Sequence, residues 1–343
     1  MNYGAELSAA WADHLAPRKP DAPTVVSTFA GCGGSSLGYS MAGYRELLAV
    51  EWDNHAVAML RRNFPELPIH HGDIAQVDPD ALGLAPGELD VLDGSPPCQG
   101  FSIIGKRRAG DQRNELFREY VRLLAAWQPK AFVMENVPGL VIGKMRATFA
   151  EILAALKSAG YVVNVQKVTA SYFGVPQARH RLLFLGLRRD LGAQPPVLRP
   201  VSAPLTVRDA WVDLSAPGIV PIIDGGPALK LSPLIPPGRN GAYVLKHAGK
   251  KASWFGLQRL AYNKPSPIIF KLFLRNYGAG FLHPSEARYI GSRELARLQS
   301  FPDEYDWGDS TYEQIHARLG NSVPPVFMRH VAQLMAATLD KVS

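Results

Sequence analysis

The sequence predicts an α/β protein with a mainly parallel sheet covered on both faces, joined to a second, smaller and irregular domain. Three observations carry that expectation. Through the first half, short apolar runs alternate with stretches of three- and four-residue apolar spacing, the βαβ pattern of a parallel sheet. Three of the runs end in glycine-rich or unusual polar sequence, as strands do where ligands bind outside the carboxyl ends of an open sheet. Beyond residue 187 the periodicity stops, and ten of the chain's 28 prolines fall between Pro195 and Pro237.

The elements follow in order. Residues 24–29 read as a first strand ending in Ala30-Gly31-Cys32-Gly33-Gly34, 35–42 as a helix, 47–50 as a second strand and 54–63 as a helix. A short strand precedes Gly72-Asp73-Ile74, and the mostly apolar run 89–92 leads into Gly94-Ser95-Pro96-Pro97-Cys98. Residues 114–127 and 146–159 are amphipathic helices by spacing, and 131–134, 161–168 and 181–187 are later strands, the first followed by Glu135-Asn136-Val137. Dense proline excludes long helices and central strands from the next stretch. Residues 188–274 are therefore expected to form the loop-rich domain, and 1–187 with 275–343 the larger one. Helical patterning returns at 292–300 and 325–341.

Composition narrows the function classes. No run approaches the about 18 apolar residues of a membrane span, and the charged amino terminus has no secretory core. Only Cys32 and Cys98 are present, which excludes a disulfide framework and paired-cysteine zinc sites and fits a reducing, cytoplasmic setting. Of the formal net charge of +7, a net of +5 lies in residues 188–258, where nine Lys/Arg face four Asp. That is a solvated surface or a face for a polyanion.

The strand ends suggest chemistry. The glycines after the first strand let the backbone turn sharply and approach a ligand, although tight packing would use them equally well. They match neither the phosphate loop nor the dinucleotide fingerprint. Glu51, eighteen residues beyond Gly33, is placed to accept hydrogen bonds from a ribose diol, and Asp73 to bond an adenine amino group. Cys98, on a proline-stiffened turn, is either a positioned nucleophile or a buried structural thiol.

Six motifs in order resemble the DNA (cytosine-5) methyltransferases: Phe29-Ala30-Gly31-Cys32-Gly33-Gly34, Pro96-Pro97-Cys98-Gln99-Gly100-Phe101-Ser102, Glu135-Asn136-Val137, Gln177-Ala178-Arg179-His180-Arg181, the run from Arg293 to Pro302, and Gly320-Asn321-Ser322-Val323-Pro324-Pro325. The resemblance spans roughly residues 24–186 and 259–339. It implies a Rossmann-like class I methyltransferase domain that binds S-adenosyl-L-methionine and releases S-adenosyl-L-homocysteine, with no metal. The smaller domain becomes a target-recognition domain.

Carried over residue by residue, the resemblance places Phe29, Trp52 and Ile74 against adenine and has Asn321 and Val323 close the site; for Trp52, plain core packing is the alternative. Ala30, Gly31, Gly33, Gly34, Ser95, Pro96 and Leu116 complete the cofactor set. Cytosine C5 is unreactive until a thiolate adds to C6, so Cys98 becomes the nucleophile. Glu135 would protonate or hydrogen-bond N3 if its pKa is raised, a structural salt bridge being the other reading. Arg179 and Arg181 alternate along an extended segment and so share a face, near the cytosine O2 and the catalytic loop. The base must be flipped out of duplex DNA. Gln99, Ser102, Lys106, Arg107 and Arg108 lie on a loop expected to close over DNA, with a solvated loop as the alternative; Ile104 stands where some relatives have a serine. Lys246, Lys250 and Lys251 are expected on phosphates. The expectation is a monomer acting on a specific DNA sequence, with any cognate restriction endonuclease acting separately. A tRNA methyltransferase, a non-catalytic DNA-binding regulator and a nucleotide-dependent dehydrogenase are the rivals.

Overall fold

A computed structural model describes residues 2–97, 116–143, 145–251, 256–276 and 278–342. In chain order the elements are α1 (Tyr3–Leu15), β1 (Thr24–Thr28), α2 (Gly34–Met41), β2 (Arg45–Glu51), α3 (Asn54–Asn63), β3 (Ile69–His71), β4 (Val91–Gly94), α4 (Leu116–Trp127), β5 (Ala131–Asn136), α5 (Met145–Ser158), β6 (Tyr161–Thr169) and β7 (His180–Arg188). There follow α6 (Val207–Trp211), α7 (Gly226–Leu231), α8 (Gly241–His247), β8 (Leu257–Arg259), β9 (Gly280–Leu282), α9 (Ser292–Leu298), α10 (Tyr312–Asn321) and α11 (Pro325–Leu339).

Seven strands form one sheet in the order β3-β2-β1-β4-β5-β7-β6. The first five are parallel, as the alternating pattern predicts. β7 pairs antiparallel with β5 and with β6. The cause is connection length: only residues 170–179 join β6 to β7, too few for the helical crossover that parallel neighbours need. Every residue of β1, β4 and β5 is buried, which is why these strands read as apolar runs rather than as alternations. On one face, α4 packs Phe117, Tyr120, Leu123, Leu124 and Trp127 into a core with Leu92, Phe132 and Tyr161. The Tyr120 hydroxyl donates to the carbonyls of Leu92 and Val133, so it anchors the helix to β4 and β5 together.

Five helices, α1, α6, α7, α8 and α10, go beyond those the sequence predicts. In α1, Tyr3, Leu7, Ala10 and His14 are buried at helical spacing. In α10, Thr311 and Gln314 form a capping box ahead of the helix, a start signal that the sequence does carry.

The chain divides into two compact units. One, residues 12–169, 180–200 and 327–343, contains the seven-stranded sheet. The other, residues 1–11, 170–179 and 201–326, holds short helices and the two-stranded β8-β9 sheet. This second unit takes in residues 275–326 as well as most of the proline-rich segment, because irregular texture marks backbone geometry and not the limits of packing. Within it, Arg297 is 3 % exposed and pairs with Asp213 and Asp303, tying α9 to the turn after α6. Among the described residues no helix is long and apolar enough to cross a membrane.

Candidate active site

Strand order reverses between β1 and β4, because the chain builds outward through β2 and β3 on one side and through β5 on the other. Such a switch point leaves a crevice at the carboxyl ends of the two central strands. Register then decides which residues meet there. Thr28 pairs with Val50 and with Gly94, and Gly94 with Met134. The next residues, Glu51, Phe29, Ser95 and Glu135, therefore stand level across four adjacent strands, with the two carboxylates three strand spacings, or roughly 14 Å, apart.

Glu51 is 8 % exposed and is caged by backbone. Its Oε2 accepts from Gly31 N at 2.7 Å, and its Oε1 from Trp52 N at 2.9 Å and Asp53 N at 2.8 Å. The cage closes the loop after β1 onto the end of β2. Phe29 and Gly31 both lie at positive φ, 57° and 58°, so the chain leaves β1 in a conformation that costs a phenylalanine free energy. Gly33, at φ 80°, caps α2; a Cβ there would stand 2.8 Å from the Phe64 ring and 2.9 Å from Leu60. A carboxylate has about four acceptor positions, so three amides leave Glu51 one for a ligand hydroxyl. Trp52, next in sequence, is 79 % exposed, which excludes core packing. These features fit a nucleoside-bearing cofactor.

The other predicted cofactor residues are placed as follows. Asp73 is exposed and its Oδ1 accepts from Ala75 N; Ile74 is buried in the core beneath it; Phe29 and Leu116 are partly buried against the same core. Ala30, Gly33 and Gly34 are buried, Gly31 and Ser95 are half-buried, and Pro96 is buried.

At the other end of the row, Glu135 forms an ion pair through Oε1 with Arg181 Nε, both side chains almost entirely buried. The salt bridge is real, and it lies within the site. Asn136, the middle residue of the Glu135-Asn136-Val137 motif, donates from Nδ2 to the Pro96 carbonyl at 3.2 Å while its Oδ1 accepts from Val137 N. It thus links the end of β5 to the segment leaving β4. Asp93, 2 % exposed in β4, was overlooked, although a carboxylate in a strand buried on both faces is itself a signal. Burial drives its pKa well up; Glu46 and Glu135 add to the effect, and the Ser35 and Tyr39 hydroxyls oppose it.

Arg179, Asn321 and Val323 belong to the second unit. Arg179 is 2 % exposed and donates from Nη1 to the Gly320 carbonyl at 3.1 Å, whereas Arg181 has Glu135 as its ion-pair partner. Asn321 is exposed at the end of α10, and Val323 is buried. Lys246, Lys250 and Lys251 are exposed. Cys98, Gln99, Ser102, Lys106, Arg107 and Arg108 lie outside the described residues. Among the described residues no group of three or more His, Cys, Asp or Glu side chains could hold a metal ion.

The C-5 cytosine-specific DNA methylase family model matches residues 24–210 and 246–337. Among similar proteins, the Type II methyltransferase M.DdeI of Desulfomicrobium norvegicum is 31 % identical over 93 % of this chain and 90 % of its own length. M1.HphI of Haemophilus parahaemolyticus, also a Type II methyltransferase, is 31 % identical over 90 % and 86 %. Among solved structures, an Escherichia coli prophage protein described as a DNA modification methyltransferase superposes with a TM-score of 0.71 at 26 % identity, over 93 % of this chain and 100 % of that one. Spodoptera frugiperda DNMT2, at 17 % identity and a TM-score of 0.67 over 92 % and 100 %, shares the fold.

Proposed function

The chain belongs to the C-5 cytosine-specific DNA methylases, and on that footing we propose how its residues divide the work of a DNA (cytosine-5) methyltransferase. Methyltransferases of this family use S-adenosyl-L-methionine. When bound, that cofactor supplies a methyl group on a sulfonium, the electrophile that C5 requires, and leaves as S-adenosyl-L-homocysteine. Glu51 accepts from its ribose, Trp52 and Phe29 cover its adenine, Asp73 bonds the adenine amino group, and Asn321 with Val323 closes the site.

The Cys98 thiolate adds to C6 of a flipped cytosine; the Sγ–C6 bond forms as the C5–C6 π electrons shift toward C4 and N3, which leaves C5 enamine-like, and the C5–CH3 bond would then form as the bond between the methyl group and the sulfonium sulfur breaks. Glu135 protonates N3 or donates a hydrogen bond to it where negative charge accumulates, and Arg181 holds the carboxyl group in place. A base, water in our reading, then takes the C5 proton, and β-elimination breaks the Sγ–C6 bond. The observation that carries this assignment is the Asn136–Pro96 bond: Pro96 lies two residues before Cys98 in sequence, so the strand that bears Glu135 is tied to the segment that leads to the thiol.

Residues 188–274 read the DNA sequence, with Lys246, Lys250 and Lys251 on phosphates. The interruption of the family match at 211–245 supports this, since a segment that chooses the target has reason to differ among relatives. Relatives named Type II methyltransferases support a modification role beside a separate endonuclease, and in this reading the protein acts as a monomer in the cytoplasm.

Incubation with tritiated S-adenosyl-L-methionine and either duplex DNA or tRNA tests the substrate. Label in DNA is expected, and label confined to tRNA would reject DNA as the target. Cys98→Ser should abolish transfer and covalent trapping on 5-fluorocytosine DNA; trapping equal to the unaltered protein removes Cys98 from the role.

A further inference from the structure

Three of the motif segments meet around two glutamines in the unit of residues 1–11, 170–179 and 201–326. Gln177 and Gln299 are both 0 % exposed. Gln177 Oε1 accepts from Ile269 N at 3.3 Å, and its Nε2 donates to the Leu298 carbonyl at 3.2 Å and to Gln299 Oε1 at 2.6 Å. Gln299 Nε2 then donates to the Ser322 carbonyl at 2.7 Å. The partners dictate both amide orientations, because a backbone N–H needs an oxygen and the two carbonyls need N–H groups.

The far end of this relay is the turn that leaves α10. A helix end presents carbonyls without intrahelical partners, and here they are out of water. Ser322, 6 % exposed, caps α10 with its N–H on the Arg318 carbonyl, while Arg179 satisfies Gly320 O and Gln299 satisfies Ser322 O. Gly320 also lies directly on the backbone of the 269–271 segment: a Cβ would come within 2.4 Å of Phe270 O and 2.6 Å of Lys271 N. Nothing larger than glycine fits. The turn that bears Asn321 and Val323 is thus held by side chains from two other motifs and seated on a third segment.

We propose that Gln299, with Gln177 behind it, is a positioning residue for the cofactor-binding turn 320–323, and that its amide is needed for affinity toward S-adenosyl-L-methionine. The inference rests on the reading that Asn321 and Val323 contact that cofactor. Its physical basis is that two fully buried amides are costly unless each polar atom is paired, and a leucine would fill the space. What an amide adds is a donor and an acceptor at fixed positions.

Three variants of the full chain test the proposal. Gln299→Leu leaves the Ser322 carbonyl without its donor. The KM for S-adenosyl-L-methionine and the Kd for S-adenosyl-L-homocysteine should rise roughly 5- to 100-fold, the worth of a buried unsatisfied acceptor, with kcat changed by less than about 3-fold, the sign of lost uniform binding. In Gln299→Glu the carboxylate still accepts from Gln177 Nε2 but has nothing to donate to Ser322. Protonation restores a donor, so homocysteine-cofactor affinity relative to the unaltered protein should recover as pH falls, which a purely structural role would not produce. Asn321→Ala separates the premise from the inference. If it weakens cofactor binding while both Gln299 variants stay within twofold of normal, the relay does not position the turn. If none of the three weakens binding, the reading of the turn itself fails. Should both Gln299 variants fail to fold, the relay is a requirement of the fold and the proposal is overturned.

Discussion

Glu51 at the end of β2 and Glu135 at the end of β5 are equally buried, at 8 % exposed each, and stand at the same level of one sheet, but they are held by different chemistry. Three backbone amides fix Glu51. Those donors belong to the chain path itself and cannot leave without unmaking the loop after β1. Glu135 is held by the guanidinium of a single side chain on β7. A carboxylate that only recognises a ligand gains from the first arrangement, through a fixed acceptor that needs no reordering on binding. One that exchanges a proton with a substrate, as we propose for Glu135, gains from the second, whose fixed cation stays beside it as the charge changes.

The largest break in that comparison is Glu135→Gln. It should lower the methylation rate by roughly 10² to 10⁴, the usual worth of a positioned acid or base, and leave cofactor affinity little changed. Calorimetry that found cofactor binding lost instead would move Glu135 into the cofactor site. Next in size is Glu51→Ala. Removing a charged hydrogen-bond acceptor should weaken S-adenosyl-L-methionine binding roughly 10- to 100-fold, with a smaller drop in kcat. Equal losses of kcat in the two variants would mean that the two carboxylates are not specialised in this way.

The sequence made the strands legible for one physical reason and hid their partners for another. β1, β4 and β5 are buried on both faces, so they appear as apolar runs whose ends can be read directly, and Glu51, Glu135 and the Gly31-Cys32-Gly33-Gly34 loop were located from them. The cage around Glu51 could not be read, since its donors are main-chain N–H groups that every residue carries. Nor could the partner of Arg179, which is a carbonyl 141 residues away. The i, i+2 spacing of Arg179 and Arg181 predicts a shared face but says nothing of their partners: Arg179, just before β7, donates to the Gly320 carbonyl, and Arg181, inside β7, pairs with Glu135. The capping box of α10 and the apolar spacing of α1 are signals that local sequence does carry, independent of the motif-bearing strands.

A third carboxyl sharpens the comparison. Among the described residues Glu46, near the start of β2, has neither a caging set of amides nor a cation: Ser36 Oγ donates to its Oε1 at 2.9 Å, and its Oε2 is out of solvent. Burial raises its pKa from 4.5 to about 7, against the opposing pull of the Ser27 and Ser36 hydroxyls. In the unfolded chain Glu46 loses its proton near the ordinary value, so between about pH 4.5 and pH 7 folding must take a proton up. Stability from this group is therefore fully present below that window, falls as pH rises through it, and is level above. Glu46→Gln cannot titrate and should escape the loss, making the variant more stable than the unaltered protein by up to about 3 kcal/mol at pH 8 relative to the difference at pH 4. Asp93, whose pKa is also raised, titrates in both proteins and largely cancels in the difference. Urea midpoints at the two pH values measure it. A difference between the two proteins that does not change with pH would mean that Glu46 titrates in the folded protein as it does in the unfolded chain, and that hydroxyls alone suffice to hold a buried carboxylate in this sheet.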